Sequence, residues 1–108
     1  MTRSDVPSTV RVEDDGKLLA EADVRPAAEP GVVRSALHVE AGHLPPGTRT
    51  RLVDAVLEHP AVEGAEKLVA SMPISDSEML GRLRERTDEV DTRAAGATKI
   101  VEARIEKP

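Results

Sequence analysis

The sequence predicts an α+β fold, built as a single mixed β-sheet with two helices. Three observations in the 108-residue chain lead to this fold class. Alternating apolar and polar residues predict strands near both ends, and two stretches of helical spacing predict the helices. A strand, a helix and a second strand follow one another in the middle, which predicts one parallel crossover. The predicted order is therefore β-β-β-α-β-α-β, with one further strand directly after the second helix.

Two strands and a tight turn open the predicted domain, which we place at residues 8–105. Ser8 to Glu13 and Lys17 to Arg25 alternate with period two, and the Asp-Gly pair at 15–16 is typical of a hairpin turn. A third strand, Val32 to Glu40, carries apolar residues on both faces, so we expect it to be covered on both sides. We expect residues 1–7 to be a loose lead-in and residues 106–108 a frayed tail.

The first predicted helix follows a loop rich in Gly and Pro at 42–47, with Thr48 or Thr50 as its capping residue. Its apolar residues have the spacing of an amphipathic helix: Leu52, Val53, Val56 and Leu57. The helix ends before Pro60, because proline disfavours the helical conformation in the preceding residue. Residues 61–65 then form a connector.

The second half of the chain contains the other helix and three strands. Lys67 to Met72 is a short apolar run, typical of a buried parallel strand. Ser75 and Glu78 have the spacing of a capping box at the start of a helix. That helix has a buried stripe (Met79, Leu80, Leu83) and a charged cluster that we interpret as solvated (Arg82, Arg84, Glu85, Arg86). Glu89 to Arg93 and Thr98 to Ile105 complete the sheet.

Composition excludes several classes of function. The chain has no Cys, which excludes disulfides and thiolate chemistry, and no Phe, Tyr or Trp, which predicts a thin core. A net charge of −5 and the lack of stacking side chains argue against a nucleic-acid partner. No apolar run is long enough for a membrane span, and the first residues lack a secretory apolar region, so we expect a cytoplasmic protein without a membrane partner. The three histidines lack metal-ligand spacing, so we expect no metal site.

The junction between the Gly/Pro loop and the first helix is the candidate binding site. Backbone N–H groups at a helix start, together with the positive end of the helix dipole, bind anions. Arg49 and Arg51 lie in the first helical turn, where positive charge opposes the dipole, and this placement indicates a nearby anion. The alternative is two solvated arginines, and we weigh the two interpretations equally. The candidate binding residues are Gly47, Thr48, Arg49, Thr50 and Arg51.

The order of elements resembles the C-terminal two-thirds of the GNAT N-acetyltransferase fold, over roughly residues 8–105. In that family a Gln/Arg-x-x-Gly-x-Gly/Ala loop after the central strand holds the pyrophosphate of acyl-CoA. The matching stretch here is Leu44-Pro45-Pro46-Gly47-Thr48-Arg49, in which only Gly47 matches. The resemblance implies a GNAT-like protein that binds coenzyme A, acyl-CoA or another phosphorylated ligand at residues 47–51.

Two departures from that family argue against its usual acetyl transfer. We expect the family's N-terminal strand and helices to be missing, because too few residues precede Ser8 to form them. The chain also has no Tyr for the family's frequent general acid; Ser75 and Ser77 lie nearby, but Ser75 is better explained as a cap. The sequence therefore assigns no catalytic residues, and it does not establish that the protein is an enzyme.

Two alternatives remain open. One is a non-catalytic interaction protein, a homodimer, which a thin core and exposed sheet edges favour. The other is an enzyme of a different kind that uses His38 or His43 as a general base. For both histidines we favour a solvated role without function.

Overall fold

A computed structural model of the chain describes residues 8–105, and the predicted lead-in and tail (residues 1–7 and 106–108) lie outside them. The described residues form six strands: β1 (Ser8–Asp14), β2 (Lys17–Pro26), β3 (Val32–Val39), β4 (Lys67–Pro73), β5 (Asp88–Ala95) and β6 (Thr98–Arg104). They also form three helices: α1 (Thr48–Leu57), α2 (Pro60–Glu63) and α3 (Glu78–Arg86). The α+β fold class with a single mixed sheet is confirmed, and the additional strand after the second predicted helix is β5. The four-residue helix α2 replaces part of the predicted connector.

The six strands pair in the order β1-β2-β3-β4-β6-β5. All neighbours are antiparallel except β3 and β4, which are parallel as the strand-helix-strand succession predicted. The β1–β2 hairpin turns at Asp15 and Gly16, whose φ angles are 51° and 76°. Such positive φ values suit the predicted Asp-Gly turn.

The helices cover one face of the sheet. Helix α1 packs against β1, β2 and β3, and α3 packs against α1, β5 and β6. The largest fully buried apolar side chains come from all three helices and from strands β4 and β6: Leu52, Leu68, Met72, Met79, Leu83, Val53, Val56, Val62 and Val101. The expectation that β3 is covered on both sides is wrong, because Arg34, Ala36 and His38 on its second face are exposed. Residues 8–105 supply helices to one side only.

The start of α1 differs from the prediction. Neither Thr48 nor Thr50 caps the helix; the capping position is Gly47, in a left-handed conformation with a φ of 86° and no side chain to bond. Thr48 is instead buried, and its hydroxyl donates to the carbonyl of Pro45 at 2.7 Å. Thr48 therefore stabilises the Pro-rich turn and does not cap the helix.

The sequence did not predict the side chains that cap α2 and α3. His59 precedes α2, and its Nδ1 accepts the N–H of Ala61 at 3.1 Å. The predicted Ser75 cap of α3 is wrong: the helix begins at Glu78, and Asp76 Oδ1 accepts the N–H of Met79 at 2.9 Å. A carboxylate is a stronger acceptor than a hydroxyl and carries the charge that a helix start favours.

A cluster of ion pairs joins α1 to α3. Asp54 Oδ1 accepts from Arg82 Nε and from Arg86 Nη1, both at 2.8 Å, and Asp54 Oδ2 accepts from Arg82 Nη2 at 3.0 Å. The hydrogen bond from Arg82 holds the pKa of Asp54 below its ordinary value, against the opposing effect of burial. The interpretation of the Arg82–Arg86 cluster as wholly solvated is therefore wrong for two of its arginines, which connect the two helices.

Candidate anion site at the start of α1

Strands β3 and β4 separate near the loop that leads to α1. Their parallel pairing ends at Ala36 and Ser71, although β3 stays paired with β2 as far as Val39, and β4 stays paired with β6 as far as Pro73. The separation opens a gap at the carboxyl ends of two neighbouring parallel strands, the part of an open sheet where ligands commonly bind.

The β2–β3 ladder indicates which backbone groups face this gap. The pairing is interrupted at two positions, Asp23–Ala36 and Val24–Ser35, and at the first of them the N–H of Ala36 donates to the Asp23 side chain, Oδ1, at 2.6 Å. The N–H of Ala36 thus points toward β2. Because the backbone groups of a strand alternate in direction, Val39 directs its N–H toward the gap.

Three backbone amides at the start of α1 have no acceptor among the described residues: those of Gly47, Arg49 and Thr50. The N–H of Thr48 donates to the Pro45 carbonyl at 3.2 Å, and that of Arg51 donates to the Gly47 carbonyl at 2.9 Å. Three of the five predicted binding residues therefore offer free donors at the positive end of a ten-residue helix.

The side chains of the predicted site residues differ in their availability. Arg51 is exposed, whereas Thr48 is buried. Thr50 donates its hydroxyl to Glu78 Oε2 at 3.2 Å. Arg49 Nε donates to Asp76 Oδ2 at 2.8 Å, which leaves its two terminal nitrogens without an acceptor among residues 8–105. The structure thus brings the five residues together but binds one side of Arg49 to an internal carboxylate.

The α3 end of the site contains Asp76, which follows the predicted capping residue Ser75. Its side chain is 4% exposed. Its backbone carbonyl accepts from Lys99 Nζ on β6, and its N–H donates to the carbonyl of Pro73 at 3.0 Å. The spacing to Arg49, 27 residues away, carries no local signal in the sequence, so only the fold reveals this contact.

The other candidate residues give no catalytic arrangement in the described part of the chain. His38 pairs with Glu40 at the surface, with Nε2 and Oε2 3.2 Å apart, and His43 is exposed. Ser75 and Ser77 are exposed as well. Residues 8–105 contain no group of three or more His, Asp or Glu side chains that could hold a metal ion. Nor is any helix within them long and apolar enough to cross a membrane.

Comparison with known proteins places this geometry in a known fold. No family model and no curated protein sequence matches the chain. Among solved structures, the GNAT domain of PAT from S. lividans is 13% identical, with a TM-score of 0.63, and the match covers 92% of this chain and 61% of that one. The PaiA N-acetyltransferase from Thermoplasma acidophilum, solved in complex with coenzyme A, is 10% identical, with a TM-score of 0.63 and coverage of 91% and 60%.

A third neighbour is N-acetylglutamate synthase from Neisseria gonorrhoeae, complexed with coenzyme A and N-acetyl-glutamate. It is 18% identical, with a TM-score of 0.67, and the match covers 92% of this chain and 26% of that one. The chain therefore has a GNAT-like fold, as its element order predicted, and spans about three-fifths of the length of the PAT and PaiA structures.

Proposed function

We propose that the protein binds coenzyme A or an acyl-CoA through its phosphates at the start of α1. The observation that carries the proposal is the set of free amides of Gly47, Arg49 and Thr50 beside the gap between β3 and β4. Two of the three structural neighbours compared above were solved in complex with coenzyme A, which supports this choice of phosphorylated ligand. Arg51, exposed in the first turn, adds a positive charge for the phosphates.

The proposal does not extend to the usual acetyl transfer. The N–H of Val39 would polarise a thioester carbonyl placed in the gap, which is a form of oxyanion stabilisation. Protonation of the departing thiolate needs a further group, and the chain contains no Tyr or Cys. We therefore propose a ligand-binding protein of GNAT-like fold, in which acyl-CoA is held rather than turned over by that route.

An NMR titration tests the proposal directly. We expect coenzyme A, added to ¹⁵N-labelled protein, to shift the amide signals of Gly47, Arg49 and Thr50 with a common saturation curve. The variant Arg51→Gln should bind several-fold more weakly and with a smaller salt dependence, because it removes one charge near the phosphates. Arg84→Gln is the matched control, since Arg84 is exposed near the far end of α3. Absence of shifts at millimolar coenzyme A would refute the proposal.

A homodimer is the second candidate, and the uncovered face of the sheet favours it. In residues 8–105 no helix covers this face, on which Ala36 is exposed and Val69 and Ile100 are half-buried. We expect a dimer in sedimentation equilibrium at micromolar concentration, which Ile100→Arg would dissociate. Ile74→Arg is the control, because Ile74 is 46% exposed outside the sheet. A monomer at the highest protein concentration that the measurement reaches would exclude this candidate.

A further inference from the structure

We infer that Asp76 is a positioning residue for ligand phosphate, acting through Arg49. The inference rests on the proposed coenzyme A site and assigns a role that the binding residues 47–51 do not include. Its basis is the way the two side chains meet: Asp76 Oδ2 accepts from Nε of Arg49 at 2.8 Å. The carboxylate thus binds the inner edge of the guanidinium and leaves the two terminal nitrogens, Nη1 and Nη2, for a second anion.

Asp76 is itself held on every side. Its Oδ1 accepts the N–H of Met79 at the start of α3, its carbonyl accepts from Lys99, and its N–H donates to Pro73. Together with the contact of Oδ2 to Arg49, these bonds engage all of its polar groups with α1, α3, β6 and the end of β4. A side chain fixed in this way is a rigid support for a guanidinium.

The arrangement is suited to phosphate binding for two reasons. Arg49 lies in the first turn of α1, next to the residues that offer the free amides of Gly47 and Thr50, so an anion at this helix end is within reach of both kinds of donor. A guanidinium that is already immobilised loses less conformational freedom when it binds a phosphate than a free arginine would. The side chain of Arg49 is 36% exposed and thus accessible, whereas the carboxylate behind it is buried.

Asp76 also carries a negative charge, which would repel a phosphate if it faced the ligand. Because its two oxygens already accept from Met79 and Arg49, that charge is directed toward the protein. The two effects have opposite signs, so measured affinity decides between them. Positioning predicts that loss of the carboxylate weakens ligand binding, and repulsion predicts that it strengthens binding.

A double-mutant cycle with Asp76→Asn and Arg49→Gln tests the inference. The amide oxygen of Asn can still accept from Met79, while its NH₂ group faces Arg49 Nε as a second donor. We expect Asp76→Asn and Arg49→Gln each to weaken the binding of coenzyme A and of inorganic pyrophosphate by about tenfold. Asp76→Asn should weaken binding no further in a protein that already carries Arg49→Gln. Asp91→Asn, on the exposed edge strand β5, controls for the change in net charge. Equal or tighter binding by Asp76→Asn would overturn the inference.

A second readout needs no ligand and stays interpretable if a variant is destabilised. In the wild-type protein the Nε–H signal of Arg49 should exchange slowly with water near neutral pH, and it should vanish in Asp76→Asn while persisting in Asp91→Asn. A signal absent from the wild type would overturn the positioning role. A persistent signal without any binding of coenzyme A or pyrophosphate would instead refute the proposed function, so the two failures are distinguishable.

Discussion

Replacement of Asp54 by Asn tests how strongly the α1–α3 ion pairs stabilise the fold. Asp54 accepts three hydrogen bonds, two from Arg82 and one from Arg86, and its side chain is 27% exposed. In Asn, an amide oxygen at the Oδ1 position keeps two of these bonds without the charge. The amide nitrogen at the Oδ2 position faces Arg82 Nη2, which is another donor, so the third bond is lost.

The expected magnitude lies between two limits. A buried hydrogen bond to a charged group contributes about 1.5–3 kcal/mol, and an exposed ion pair about 0.2–1 kcal/mol. Because the cluster is partly exposed, we expect Asp54→Asn to lower the free energy of unfolding by about 1–2 kcal/mol. With a urea m-value of about 1.5 kcal/mol/M, the unfolding midpoint then falls by about 1 M.

Urea titration followed by far-UV circular dichroism is the suitable assay, because the chain has no Trp or Tyr for fluorescence. Glu21→Gln is the matched control: Glu21 pairs with Arg11 at 3.3 Å on the surface, and we expect a change within about 0.5 kcal/mol. If Asp54→Asn lowers the free energy of unfolding by less than about 0.5 kcal/mol, the cluster is too well solvated to connect the helices.

A second test is how the difference in unfolding free energy between the wild type and Asp54→Asn depends on pH. The pKa of Asp54 is lowered in the folded protein, chiefly by its hydrogen bond from Arg82, so between the folded and unfolded pKa values the unfolded chain binds more protons. Its contribution is therefore fully present above the ordinary carboxyl value of 3.8 and is lost as the pH falls through the folded pKa. The same bond raises the pKa of Arg82, which stays charged throughout. A wild-type advantage over Asp54→Asn that does not shrink below pH 3.8 would contradict this assignment.

Three further predictions concern single side chains, and equilibrium unfolding measures each. Ser35 Oγ is buried without a hydrogen-bond partner among the described residues, so Ser35→Ala should leave stability unchanged or raise it by up to about 2 kcal/mol; a clear loss would indicate a bound partner. Gly47→Ala should cost about 1 kcal/mol, because φ is 86° there and a Cβ atom meets nothing within 4 Å, which leaves conformation as the only penalty. Gly81→Ala in α3 is its counterpart: Cβ is again unobstructed but φ is helical, so stability should rise by about 0.5–1 kcal/mol, and a loss would contradict the helix assignment.

The strands and the buried helix stripes could be predicted because they depend on local periodicity. The hairpin at Asp15 and Gly16 follows from alternating side chains and an Asp-Gly pair, the apolar stripe of α1 follows from side-chain spacing, and the structure places both as expected. The parallel pairing of β3 with β4 was also accessible, since a helix between two strands favours a parallel crossover.

Helix starts were harder to predict because several residues competed for each cap. Thr48 has a good capping side chain, but Gly47 before it takes the left-handed conformation, and the Thr48 hydroxyl bonds to Pro45 instead. At α3, Ser75 and Asp76 are both residue types that favour a helix start, and in the structure it is Asp76 that accepts the N–H of Met79, while its own N–H donates to the carbonyl of Pro73. The covering of β3 depends on where α1 and α3 pack, which its own sequence does not encode.

The arginines in the first turn of α1 can be interpreted differently once the fold is known. Two arginines in the first turn of α1 indicated an anion, and the fold supplies one internally, because Asp76 accepts from Arg49. The sequence clue is thus explained in part without any ligand. What the internal carboxylate leaves unexplained is the set of amides at Gly47, Arg49 and Thr50, which still lack acceptors in residues 8–105. We therefore expect backbone donors to contribute more to phosphate binding than arginine charge does. Amide shifts that persist in Arg51→Gln would place the ligand on the backbone, whereas shifts lost with Arg51 would make charge attraction the main source of binding.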